Sequence, residues 1–148
     1  MYPFAIVSLI LALITGGVML SANERQAEHR AMRVQAVASN LTVYAGFVGA
    51  YVGSTPHVSG WIDPGSVGHP SWFVKHGNVS AFRSGTSTYV FASGLPQWQV
   101  ASMSKEYAQG RPFDGRYGIK QAGVLRLRNG SQIPVPSQVP DGSFLVVL

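Results

Sequence analysis

Cysteine is absent from this 148-residue chain. Disulfides and thiolate metal centres are therefore excluded, and the redox state of the compartment leaves no mark on the sequence. Charge is also scarce, at 11% of residues against about 25% in ordinary soluble domains. The shortage is greater for acids: Lys and Arg number 11 and Asp and Glu 6, for a net charge of +5. Asp63, Asp114 and Asp141 each adjoin Pro or Gly, where Asp is favoured for turn geometry rather than proton transfer. With Glu24, Glu28 and Glu106 they complete the set, and no pair is spaced for acid–base work. The basic residues form no run, and no nucleic-acid-binding fold signature accompanies them, so nucleic acid is not an expected partner.

Catalytic motifs are missing too. There is no Walker loop, no Gly-x-Ser-x-Gly elbow and no Gly-x-Gly-x-x-Gly after a strand. His29, His57, His69 and His76 show no i,i+4 spacing on a helix, so a metal site would need a loop to gather the last three. No catalytic residue, cofactor or metal ligand is expected.

The most informative absence is at the start. No side chain from Met1 to Asn23 is charged, and Phe4 to Leu20 is almost wholly apolar. At about 1.5 Å per residue, roughly 20 helical residues cross the hydrocarbon core of a bilayer. Residues 1–22 are expected to form a single transmembrane helix. A cleaved signal peptide is the competing reading, but it calls for a basic leading segment and an apolar core of about 7–15 residues. Ser8, Ala12 and Gly16 lie four apart, a row of small residues that lets membrane helices approach closely.

Between Ala22 and Gly46 there is neither Gly nor Pro. Ala27, Ala31, Val34, Ala38, Leu41, Ala45, Val48 and Val52 recur at alternating spacings of four and three, the register of one helix face. Residues 23–53 are expected to be a juxtamembrane amphipathic helix, ended by Gly53-Ser54-Thr55-Pro56. Two uses of the stripe are open: packing on the chain's own domain, or helix–helix contact with another membrane subunit or a second copy. The same geometry serves both.

Residues 54–148 are expected to form one small domain. Val79–Arg83 and Thr88–Ala92 are strand-like, with a turn at Ser84-Gly85-Thr86. Pro96–Gln109 suits a helix stopped by Gly110 and Pro112, and Tyr117–Lys120 begins a strand. Val124–Ile133 alternates around Asn129-Gly130, the signal for a two-residue type I′ hairpin, and Pro134 and Pro136 confine the return strand to an edge. Ser143–Leu148 is an apolar final strand. The class is α+β: a long N-terminal helix packed on a small, mostly antiparallel sheet with one short helix.

Type IV pilins share this outline. A prepilin, however, carries a leader ending in Gly and a Glu early in the apolar run, whereas the first acid here is Glu24. The segments Ala36-Val37-Ala38-Ser39-Asn40-Leu41 with Tyr44, Trp72-Phe73 with Gly77, and Tyr89-Val90-Phe91-Ala92-Ser93-Gly94 resemble the PilM family of type IVb thin-pilus systems found in conjugative-plasmid clusters. The resemblance implies a non-enzymatic, single-pass protein of the bacterial inner membrane, part of a pilus assembly apparatus or basal body. Its expected partners are other inner-membrane pilus-assembly proteins and membrane lipid, and its C-terminal domain would be periplasmic. Arg25, Arg30 and Arg33 after the apolar run lean the other way, toward a cytoplasmic domain. The alternatives are a minor pilin-like subunit, or a membrane-tethered enzyme or metal sensor built on His57, His69 and His76.

Overall fold

The computed structural model describes the backbone of residues 2–108, 116–127 and 129–148, with side chains from Glu24 onward within those ranges. The chain divides into two compact units, Met1–Arg33 and Val34–Leu148. Helix α1 runs Tyr2–Ser54. In the first unit its described residues, Glu24 to Arg33, are all exposed. The helix stops where the Pro56 signal places its end, and its last turn is closed by Thr55 N–H donating to the Tyr51 carbonyl at 2.9 Å.

The second unit is a seven-stranded antiparallel sheet with the later part of α1 and a second helix on one face. The strands are β1 (Gly60–Trp61), β2 (Val79–Ser84), β3 (Ser87–Ala92), β4 (Tyr117–Gln121), β5 (Val124–Arg126), β6 (Gln132–Pro134) and β7 (Phe144–Val147). Helix α2 is Gln97–Ala108, between β3 and β4. The spatial order is β1-β2-β3-β7-β4-β5-β6, so the chain's last strand becomes the middle of the sheet. A strand covered on both faces reads as a continuous apolar run, and Phe144-Leu145-Val146-Val147 is buried throughout.

Strict alternation along β2, β3 and β7 sends side chains to two different cores. Val79, Ala81, Val90, Ala92, Phe144 and Val146 face the helices and meet Val34, Val37, Ala38, Leu41, Tyr44, Ala45 and Val48 of α1 and Val100, Met103 and Tyr107 of α2. Phe82, Tyr89, Phe91, Leu145 and Val147 point the other way, into a second cluster with Leu125, Val135 and Val139. That cluster is closed by the chain folding back on itself. Gly118 sits at the fold: a Cβ there would lie 3.0 Å from Leu125 Cδ1 and 3.2 Å from the Arg126 carbonyl oxygen. The curl brings edge strand β6 over β3, where the Tyr89 hydroxyl donates to the Pro134 carbonyl at 3.4 Å.

Two turns depart from the sequence expectation. The turn between β2 and β3 is as expected, with Gly85 at φ 58 in its first central position. Asn129-Gly130 does not form a two-residue turn. Leu127 N–H donates to the Ser131 carbonyl at 2.9 Å, so the loop holds three residues, and only Gly130 has positive φ (85°) there among the described residues. Asn129 instead turns its side chain onto the Ser131 N–H at 3.0 Å, which stabilises a longer loop. The tight turn is at Ala122-Gly123, with φ 49 and 78 and Gln121 paired with Val124 on either side. Ala is a poor residue for that conformation, which is why the sequence does not announce it. The expected helix stop at Gly110 and Pro112 lies outside the described residues.

Candidate functional site

The helix stripe was the sequence's main candidate for contact with a partner, and the structure divides it. Val34, Ala38, Leu41, Ala45 and Val48 are inside the chain's own core, each 6% exposed or less. Val52 packs half-buried against the same core, whereas Ala27 and Ala31 are exposed. Of the two uses left open, the domain itself takes the stretch from Val34 onward, because the apolar face of β2, β3 and β7 needs a cover. Those five residues are not available to a partner. Ser8, Ala12 and Gly16 lie outside the described side chains.

Hydrogen bonds and ring contacts hold the surrounding elements on α1. Asn40, on the polar edge of the helix, donates its side-chain amide to the Val74 carbonyl at 2.8 Å and accepts from the His76 N–H at 2.8 Å. Phe73 is thereby held inward, stacked on Tyr44 at 6.3 Å between ring centres and edge-on to Phe47 at 5.2 Å. From α2, the Tyr107 hydroxyl donates to the Ala38 carbonyl at 3.1 Å and shares a 2.7 Å hydrogen bond with the Thr42 hydroxyl.

The strap over α1 leaves Trp72 and Val74 more than 70% exposed on either side of the buried Phe73. Beneath it the Tyr44 hydroxyl is buried with no hydrogen-bond partner among the described residues. Burial, aided by the nearby Asp63 carboxylate, pushes its pKa up to about 12. The Lys75 ammonium lies 5.9 Å from the Tyr44 ring centre and donates to the Val79 and His76 carbonyls, and burial lowers its pKa. By occupying the Val79 carbonyl it also blocks the outer edge of β2 against further strand pairing.

Sequence reasoning passed over the second clasp. Lys120 on β4 is buried, and its ammonium donates to the Val139 carbonyl at 2.6 Å and the Pro136 carbonyl at 3.1 Å. It also pairs with the exposed Asp141 carboxylate at 3.2 Å. These three acceptors match the ammonium's three protons, so the charge is satisfied while it pins residues 135–141 over the second core. The only available signal was Lys120 at an inward position of an alternating strand.

The histidines do not converge. His69 packs against Phe47 and Phe73, and a ring nitrogen of His76 accepts from the Asn78 N–H at 3.3 Å, so both are used locally. His57 is exposed, and among the described residues no three His, Asp or Glu side chains are placed to hold a metal ion.

The fold and its surface therefore define a long helix bearing a small antiparallel α+β domain with exposed aromatic side chains. The PilM family model matches residues 9–147, so the chain belongs to the PilM family. That membership suggests a role in pilus biogenesis. A crystal structure from Escherichia coli B7A bearing the provisional name PilM shares the fold, with a TM-score of 0.56 and 17% identity over 78% of this chain and 91% of that one. No curated protein matches the chain.

Proposed function

We propose that the chain is a membrane-anchored, non-catalytic component of a type IVb pilus assembly apparatus, working through protein contacts. The observation that carries this reading is the PilM match across nearly the whole chain. The physical features agree with it. The apolar residues before Glu24 suit a membrane crossing, since the stretch from Val34 to Val48 is committed to the domain core. Asn40, Lys75 and Lys120 clasp loops, and large apolar side chains stay exposed at Trp61, Trp72, Val74 and Trp98. Surface Trp is a frequent anchor in protein interfaces. The domain faces the periplasm in this reading, and neighbouring inner-membrane pilus proteins are its partners.

Deletion of the gene should abolish piliation, and a tagged chain restoring it should fractionate with the inner membrane and co-purify with other pilus-assembly proteins. A reporter fused at Leu148 should be active only in the periplasm. Normal piliation without the gene would overturn the proposal, and recovery of the chain in sheared filaments would replace it with a pilin-like role. Because Val34, Leu41 and Val48 are core residues, exposed positions such as Trp72 and Val74 are the sites for interface substitutions.

A further inference from the structure

Helix α2 lies against β4 and leaves a groove of about 570 Å³ between its outer side and the β4–β5 hairpin. Tyr117 and Ile119, both half-buried, contribute apolar side chains to its lining, and Ala101 and Ala108 of α2 form one wall. Trp98, Ala101, Lys105 and Ala108 recur at spacings of three, four and three along α2. That is the seam one helix offers to another, and the two alanines allow a close approach.

Among the described residues, the charges on this groove are of one sign. Lys105 projects from α2 and Arg126 from β5; both are exposed, and neither forms an ion pair among the described residues. No carboxylate is among the described lining residues, in a chain where acids are few. Glu106, the carboxylate on α2, is half-buried and outside the lining. Apolar side chains set beside these two cations complement an apolar ridge flanked by carboxylates. The groove is open to solvent along one side, whereas small-molecule sites enclose most of their ligand.

Resting on the assembly role proposed above, we infer that this groove docks an acidic amphipathic helix of another protein. The apolar ridge of that helix lies over Tyr117 and Ile119, and its carboxylates face Lys105 and Arg126. Lys105 and Arg126 select the partner by charge, and the alanine wall sets how near its backbone comes.

The test uses the full chain in nanodiscs of zwitterionic lipid and two fluorescein-labelled, 18-residue amphipathic peptides, one of Leu and Glu and the other of Leu and Lys. Fluorescence anisotropy should show the Leu/Glu peptide binding at least tenfold more tightly. The double variant Lys105→Glu/Arg126→Glu should lose about tenfold for that peptide and gain affinity for the Leu/Lys one. Lys105→Arg/Arg126→Lys, which keeps both charges, should retain binding. Equal affinity for the two peptides, or no change on charge reversal, overturns the inference. If sedimentation shows that the chain self-associates and that charge reversal abolishes this while peptide binding persists, the occupant is a second copy and the inference is equally overturned. Intact co-purification with pilus proteins alongside failed peptide binding would sink the groove alone. Piliation independent of the gene would sink the wider reading whatever the peptides do.

Discussion

The two faces of the sheet are closed in different ways. On one, α1 and α2 lay down whole helical stripes, and side chains such as Leu41, Tyr44, Met103 and Phe144 interlock without charge. On the other, the sheet covers itself. It folds over at Gly118, turns at Ala122-Gly123 and is held by the ammonium of Lys120. The helical face gains its stability from apolar area, which a helix supplies in bulk. The curled face has only short strands to offer and adds a buried charge with satisfied hydrogen bonds. A buried cation contributes specificity as well as stability, because its acceptors must arrive in one arrangement.

That contrast predicts a ranking of substitution effects, readable by urea unfolding of the full chain in detergent. Leu41→Ala empties a fully buried site on the helical face and should cost about 3 kcal/mol. A loss under 1 kcal/mol would mean that α1 is not the cover this core depends on. Lys120→Met keeps most of the side chain's volume but leaves the Pro136 and Val139 carbonyls without their donor, and should cost about 2 kcal/mol. Wild-type stability in that variant would show that area alone closes the second face.

Tyr44→Phe removes a buried hydroxyl that has no partner among the described residues, and should raise stability by about 0.5–1 kcal/mol at neutral pH. It should also change the alkaline response. The folded phenol has a pKa raised from 10.0 to about 12. Its neutral form is thus favoured by folding, so this group's contribution is intact below pH 10 and declines as pH rises from 10 to 12. The wild type should lose more stability than Tyr44→Phe across that window, and identical curves would refute the burial argument. An effect of the same size belongs to the turn. Ala122→Gly relieves a positive φ and should stabilise by about 0.5–1 kcal/mol, sharpening the view that the curled face carries local strain.

The helical face was largely legible in the sequence. The alternating three- and four-residue spacing of Val34, Ala38, Leu41, Ala45 and Val48 recorded a buried face, and Pro56 recorded its end. The choice between the chain's own domain and a foreign helix was not legible, since an amphipathic stripe looks the same under either cover. The curled face was barely legible. Asn129-Gly130 advertised a tight turn and formed a longer loop, while Ala122-Gly123 made the tight turn unannounced.

Local pattern by itself determined the long helix, the strands of β2, β3 and β7, and the chemical poverty of the chain: no thiols, few acids, no catalytic spacing. These follow from backbone geometry and side-chain type, which act between near neighbours. Only the tertiary structure decided that the last strand lies at the centre, that Asn40 clasps the Phe73 strap, and that Lys120 finds its acceptors 16, 19 and 21 residues downstream. It also placed Lys105 and Arg126 at one groove. Such pairings depend on which surfaces remain uncovered once the elements form, and that is a property of the assembled domain rather than of any stretch of it.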